Sequence, residues 1–421
     1  MSDIDPAAAQ RALTGVRVLD LTQHESGSVC CQMLGWLGAD VIKIEVPKTG
    51  DPGRKIGSPL QTSAPDPNGK DAWYFLMHNS NKRGLTLDLK TKEGKEIFLS
   101  LVAKADVVAE NFGPGTWERL GLEYPVLAKI NPRIILARIK GFGLTGPYSG
   151  FGSFDTISQA VGGMLALTGP EGGGPLKTGP SVADSSSGIL ACLGVVSALH
   201  QRHTTGRGQQ VEISMQEALM NLCRGRISDY YIAEPHKAPS RKGNALTKGV
   251  PSGLFPSKGG GPNDYVYMIV HTALQPKVKV WENFLKVIDR EDLIGNERYS
   301  TTEGRTKHRA EVDAFVTEWT MKHTKYEVME KLGAAKILCG AVLDISDHLY
   351  DRHLVERNAI IEYDHPSRGR IRVPACPIRL SDSSTETRRP PLIGEHTDEV
   401  LADLLGFDEA KLKNLRDAGI I

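Results

Sequence analysis

Five short apolar runs punctuate the first 140 residues: Val16-Arg-Val-Leu-Asp-Leu21, Val41-Ile-Lys-Ile44, Gly84-Leu-Thr-Leu-Asp-Leu89, Asp106-Val-Val-Ala-Glu110 and Arg133-Ile-Ile-Leu-Ala-Arg-Ile139. Each has strand length and strand composition. After the first run, a loop with Ser26-Gly27-Ser28 leads into a helix expected over 29–37, which Gly38 stops. After the third, a helix is expected over 91–103, with Thr91 as its cap and Glu93 placing negative charge in the first turn. Strands that alternate with helices predict an α/β fold with a parallel, doubly wound sheet. Such sheets bind ligands in the crevice beyond the carboxyl ends of their strands.

The pattern changes after about residue 225. Residues 236–262 are rich in Pro, Gly, Lys and Ser and predict a crossing segment and mobile loop. A strand is expected over 264–270, with helical patterns near 276–288 and 309–333. From 341 the chain reads as loop-rich, with Pro366, Pro374, Pro377, Pro390 and Pro391, and ends in two helices over 397–405 and 408–418. A length of 421 residues suits two domains. The expected division is 1–225 for the first part of a large domain, 226–340 for a smaller α+β domain with linkers, and 341–421 for a segment returning to the large one.

Lys and Arg total 51 against 50 Asp and Glu, which leaves no electrostatic footprint for nucleic acid or an anionic membrane. Any anionic ligand must then be held by a local cluster. No uninterrupted apolar run reaches the ~18 residues of a membrane span, and the acidic start Met1-Ser-Asp-Ile-Asp-Pro has no signal-like apolar region. The six cysteines show no metal or C-x-x-C spacing, so free thiols, no metal and a cytoplasmic location are expected.

One segment stands out for chemistry. Ser181-Val-Ala-Asp184-Ser-Ser-Ser-Gly188 precedes the apolar run Ile189-Leu-Ala-Cys-Leu-Gly-Val-Val-Ser-Ala-Leu-His200. It puts Asp184 where a loop becomes a buried helix. There the free N–H groups and the helix dipole are expected to hold it ionised and aimed outward, either as a simple cap or as a nucleophile. Three loops could line a common crevice with it: Asn79-Ser-Asn-Lys-Arg83, Glu110-Asn-Phe-Gly-Pro-Gly115 with Arg119, and Arg138-Ile-Lys-Gly-Phe-Gly143. Cations suit phosphates and aromatic faces suit a purine, so together they fit a polyphosphorylated nucleotide such as coenzyme A. Glu45 ends the second strand where a ribose-binding acid would sit, but the first loop has one glycine, Gly27, and not the three a dinucleotide site needs. The Gly-rich 168–175 reads as a flexible connection. His24, His78 and His200 show no metal spacing and read as structural or solvent-facing.

These residues form an ordered series that resembles the family III coenzyme A transferases, the CaiB–BaiF family, and within it the formyl-CoA:oxalate transferases. The series runs from Leu13-Thr-Gly-Val-Arg-Val-Leu-Asp20 through Gly38-Ala-Asp-Val-Ile-Lys-Ile-Glu45, Asn81-Lys-Arg83, the 105–115 segment, Gly141-Phe-Gly-Leu-Thr-Gly-Pro147 and Ala183-Asp184. It continues with Thr205-Gly-Arg-Gly-Gln209 and ends at Gly394-Glu-His-Thr397. The resemblance implies a Rossmann-like large domain, a smaller inserted domain and an interlocked homodimer, with a hetero-oligomer as the alternative. It implies Asp184 as the catalytic carboxylate and coenzyme A contacts at Asn111, Phe112, Arg119, Lys140 and Phe142, with Met215 near the thioester. His24 and Glu25 match the loop against the reacting carbonyl, and Gly249 to Gly253 matches a glycine loop over the site. It also implies acyl-CoA and carboxylic acid substrates, with the coenzyme A thioester as substrate and no permanently bound cofactor.

The chain departs from the formyl-CoA transferases where they carry Gln and it has Glu25, in the less glycine-rich 246–253 loop, and at Val46 in place of a basic residue. Glu25 and the altered loop point to a donor larger than formyl-CoA, such as succinyl-CoA. Three rivals are weaker. Retained Asp184 argues against a non-catalytic or partner-dependent subunit of a hetero-oligomeric transferase such as a benzylsuccinate type, a racemase would need a His where Phe154-Asp155 stands, and a nicotinamide oxidoreductase would need glycines that the first loop lacks.

Overall fold

The computed structural model describes residues 11–56, 71–244, 249–270 and 279–421. The chain divides into two compact units: Met1–Ala166, Leu176–Pro239 and Val355–Ile421 form the first, Leu167–Pro175 and Ser240–Leu354 the second.

In the first unit six strands make one sheet: β1 (Arg17–Asp20), β2 (Asp40–Glu45), β3 (Lys82–Thr86), β4 (Val107–Glu110), β5 (Ile135–Lys140) and β6 (Gln210–Ser214). Their order is β3-β2-β1-β4-β5-β6 and every neighbouring pair is parallel. The apolar runs lack alternation because both faces are covered. Val18, Val41, Val107 and Ile135 turn to the side packed by the helices Ser26–Trp36 and Val182–Thr205. Leu19, Ile42, Val108 and Leu136 turn to the side packed by Lys92–Val102, Thr397–Leu405 and Glu409–Asp417. β6 is not signalled in the sequence, because it is an edge strand with Gln210 and Glu212 exposed. Thr91 caps its helix as its residue type predicts, accepting from Gly94 N–H at 3.0 Å.

The 24-residue helix Val182–Thr205 is long and apolar enough to cross a membrane by length and composition alone. Here its Ala183, Ala191, Val195 and Ala198 lie in the core beside the sheet. The segment after 341 is more ordered than expected. β10 (Ile360–His365) and β11 (Gly369–Pro374) form an antiparallel hairpin whose Ile371 and Val373 pack on Phe75 and Leu76. Of the prolines that suggested a loop, Pro366 sits at the hairpin's turn and Pro374 at its end, while Pro377, Pro390 and Pro391 follow it.

The second unit has an antiparallel sheet of β7 (Ser252–Pro256), β8 (Tyr265–Ile269) and β9 (Leu338–Ala341). Helices Val280–Val287, Arg309–Thr320 and Lys325–Ala334 pack around Val266, Met268, Phe284 and Val316. The helix expected over 309–333 is two, because Thr324 and Glu327 form a capping box that starts a new one. The mobile loop expected over 236–262 is corrected in part: 252–256 is a paired strand, with Gly253 opposite Met268. Residues 245–248 of that loop and 276–278 of the next expected helix lie outside the described residues.

Candidate active site

β1 and β4 are neighbours, and from them the strand order runs outward in opposite directions, β2 and β3 to one side, β5 and β6 to the other. The loops that follow β1 and β4 therefore part at the switch point, which opens a crevice at the carboxyl edge of the sheet. Asn111 stitches the two loops. Its Oδ1 accepts Gln23 N–H at 2.7 Å, and its Nδ2 donates to Gln23 C=O at 2.7 Å and Ser26 Oγ at 3.1 Å.

Two cavities open there and share Gln23, Phe112 and Gly113. The smaller, ≈ 380 Å³, extends over the ends of β2 and β3 to Val46 and Lys90. The larger, ≈ 770 Å³, runs to Asp184 and Met215. Of the residues singled out in the sequence, His24, Asn111, Phe112, Lys140, Asp184 and Met215 line the larger cavity.

Asp184 lies in the first turn of the helix Val182–Thr205, but the helix does not hold it ionised as expected. The N–H groups of Ala183 and Asp184 donate to Asp155 Oδ1 at 2.8 and 3.3 Å, and Asp155 Oδ2 accepts from Gln159 Nε2 at 2.6 Å. Asp155 is therefore the capping group, supplied from another helix. Burial first, then the like charges of Glu25 and Asp155, push the Asp184 carboxyl from 3.8 up to about 7.

Glu25 does not line the cavity; it is buried behind Asp184, and its Oε1 accepts from Ser185 Oγ at 2.8 Å. His78 Nε2 stands 3.8 Å from the same oxygen. Tyr74 lines the cavity and its side chain hydrogen-bonds Glu25. Burial, then Glu25, Asp184 and Asp51, raise the Tyr74 phenol so that it keeps its proton. Tyr74, Ser185 and Asp155 were not picked out as site residues, and His78 was read as structural or solvent-facing. The signals available were the four-residue spacing of Tyr74 and His78 on one short helix, and the same spacing of Asp155 and Gln159.

Other candidate residues stand differently. Arg119 is exposed and donates to Thr116 Oγ1 at 2.9 Å; it lines neither cavity. Phe142 packs edge-on against Tyr148 and Phe151, and Phe151 rather than Phe142 reaches the larger cavity. Lys140 Nζ is held by Glu110 Oε2 at 2.8 Å and Phe112 C=O at 2.6 Å, and burial pulls its ammonium below the ordinary range although Glu110 opposes this. The Lys82-Arg83 pair, a candidate for phosphates, is spent elsewhere. Lys82 Nζ is buried on Asp20 Oδ2 at 2.8 Å, and Arg83 bonds both oxygens of Asp40. Glu45 is no ribose ligand, because Arg54 grips both of its oxygens at 2.7 Å. Gly249 and Gly253 belong to the second unit.

Sequence and fold comparisons show the family of the chain. Residues 13–397 match the family described as CoA-transferase family III. A formyl-CoA:oxalate CoA-transferase of Rhodopseudomonas palustris is 41% identical over 426 residues, covering 97% of each chain. One of Streptomyces avermitilis is 40% identical over 422 residues, covering 98% of this chain and all (100%) of the other. The crystal structure of a CaiB/BaiF family protein from Brucella suis superposes with a TM-score of 0.81 at 30% identity, covering 94% of this chain and 100% of that one. A further solved structure, from Mycobacterium tuberculosis, gives 0.74 at 27% identity over 92% and 99%. A switch-point crevice, a buried carboxylate at its end and a family match along nearly the whole chain converge on one assignment: this chain belongs to the family III CoA-transferases and is a CoA-transferase enzyme.

Proposed function

We propose that Asp184 is the nucleophile of a transfer that moves coenzyme A from a donor acyl-CoA to a carboxylic acid. The observation that carries this reading is a carboxylate at the end of a switch-point cavity whose ionisation sits near neutrality. A carboxylate oxygen of Asp184 attacks the thioester carbonyl, the C–S bond breaks, and coenzyme A leaves as thiolate. The thiolate attacks the aspartyl carbonyl of the mixed anhydride and expels the donor acid as carboxylate, leaving an aspartyl-CoA thioester. The acceptor carboxylate then attacks that thioester carbonyl, and the expelled thiolate takes the new acyl group and frees Asp184. A thioester is exchanged for a thioester, so the work is positioning and exclusion of water.

The nucleotide part fits the smaller cavity. Lys90 is the cation on its rim, with Phe112 beside it for the adenine or pantetheine arm. The thioester end fits the larger cavity, between Tyr74, His24, Met215 and Asp184. The relatives' names supply formyl-CoA and oxalate as first candidates. The sequence departures at Glu25 and in the 246–253 loop keep a larger donor such as succinyl-CoA as a further candidate. An interlocked homodimer is part of this reading. Its support is that the helix bearing Asp184 exposes Ile189 (49%) and Leu193 (61%), side chains that a second chain would cover.

The test is a panel of formyl-, acetyl- and succinyl-CoA against oxalate, succinate and larger acids, read by mass spectrometry for new acyl-CoA. Wild type is expected to use at least one pair, and Asp184→Ala none. Transfer retained in Asp184→Ala would refute the reading.

A further inference from the structure

Glu25 is a buried charge that the transfer steps above leave without a role. It precedes the helix Ser26–Trp36, and its side chain is 7% exposed. Everything around it fixes its position. Ser185, the residue after Asp184, donates to Oε1 at 2.8 Å; Tyr74 hydrogen-bonds it; His78 Nε2 stands at 3.8 Å. His78 Nδ1 meets Tyr74 C=O at 2.8 Å. A carbonyl can only accept, so Nδ1 carries a proton and Nε2 is the nitrogen turned to Glu25.

We propose that Glu25 is a positioning residue for Asp184. Held by Ser185 and Tyr74, with His78 Nε2 beside it, its carboxyl is fixed behind the nucleophile and favours the conversion of Asp184 to neutral acyl derivatives. This rests on the reading of Asp184 as nucleophile. The physical reason is like-charge repulsion across a partly desolvated site. Forming the anhydride removes the charge from Asp184 and hands it to the departing thiolate, and in the thioester that follows Asp184 stays uncharged. The repulsion is relieved in the first step, stays relieved in the thioester, and is restored when Asp184 is freed.

The charged groups facing this pair are few. Asp155 is the second like charge on Asp184, from the helix Asp155–Val161. Asp51 is answered by Lys43 at 2.8 Å, Asp20 by Lys82, and Lys140 by Glu110. His24 lies in the same loop as Glu25, and its ring packs on Phe154. Among the described residues, His78 is the basic side chain paired with Glu25.

Glu25→Gln tests the charge alone, since a glutamine oxygen accepts from Ser185 in the same way. The full-length chain is treated with a carbodiimide and an amine across a pH series, and Asp184 labelling is read by peptide mass spectrometry. Carbodiimides attack the protonated carboxyl, so labelling falls as Asp184 ionises. The wild-type midpoint is expected near pH 7. It should drop by about one pH unit in Glu25→Gln and likewise in Glu25→Ala, which removes the same charge. A merely structural role would change activity without moving the midpoint.

A Glu25→Gln midpoint that stays put or rises overturns the proposal. If that variant does not fold, an unmoved or raised midpoint in Glu25→Ala does so. Labelling needs no acyl-CoA, so the two readings fail separately. Shifted midpoints in a chain that transfers nothing refute the transferase reading; unmoved midpoints in one that transfers through Asp184 refute only the role of Glu25.

Discussion

Asp184 keeps its proton to higher pH than a solvated aspartate, and that has a consequence for stability as well as for catalysis. Between the ordinary 3.8 and about 7 the native chain holds a proton that the unfolded chain has lost. More protons bound in the native state mean that stability falls as pH rises through this window. Asp184→Asn removes that loss. Its melting temperature should gain on wild type as pH rises from 3.8 to about 7 and then hold level, measured by thermal unfolding across pH. A difference independent of pH would show that the carboxyl is not held up by its surroundings. Activity has the opposite slope, because only the ionised nucleophile attacks, so turnover should fall on the acid side of about 7.

At the rim of the smaller cavity, Lys90→Ala should raise the KM for acyl-CoA by about 5- to 10-fold with kcat nearly unchanged, since a phosphate contact binds ground and transition states alike. Equal losses in kcat and kcat/KM would place Lys90 at the reacting end instead. The sequence made visible which residues end strands, because a strand end is legible from the pattern. It did not reveal where their charges are spent. Lys82 and Arg83 looked free in sequence, yet Asp20 and Asp40, far away in the chain, take them.

Among the elements, the helix Val182–Thr205 meets the helix Ser26–Trp36 at very short range through Gly188. A Cβ there would lie 2.4 Å from Ser26 C=O and 2.8 Å from Val29 Cβ. Alanine is the better helix former by about 1 kcal/mol. The collision is with backbone, however, so Gly188→Ala should destabilise by about 1–3 kcal/mol in denaturant unfolding and impair the adjacent Asp184. Stability at or above wild type would mean that the helices are not packed this closely. The cap of the same helix was misread from sequence for an instructive reason. A Ser/Asp-rich start signals that some carboxylate or hydroxyl meets the free N–H groups, but not which one. The capping group is Asp155, 29 residues before Asp184, and no local pattern encodes that. Strands β10 and β11 were missed similarly, because Pro366 and Pro374 punctuate a hairpin as readily as a loop.

For the molecule as a whole, the chain's end completes what its beginning starts. Thr86 N–H donates to Thr397 Oγ1 at 3.0 Å and Asp88 N–H to Ile420 C=O at 2.8 Å. Val400, Leu401, Leu412 and Leu415 cover the sheet face of Leu19, Ile42 and Leu85. Leu401→Ala should therefore cost about 2–5 kcal/mol, read by unfolding, although it lies far from Asp184 in sequence. A neutral effect would contradict the returning segment's place in the core. The parallel sheet was legible from the five apolar runs. Its edge strand and the short excursion of 167–175 into the second unit were not, since exposed polar strands and glycine-rich crossings carry little periodic signal.

The most direct measurement is to quench the enzyme with hydroxylamine during turnover of a productive acyl-CoA and acid pair, then map the modified peptide by mass spectrometry. The account predicts a hydroxamate on Asp184 that needs both the acyl-CoA and the intact residue. A hydroxamate on another side chain, or turnover with no trapped carboxyl at all, would contradict it.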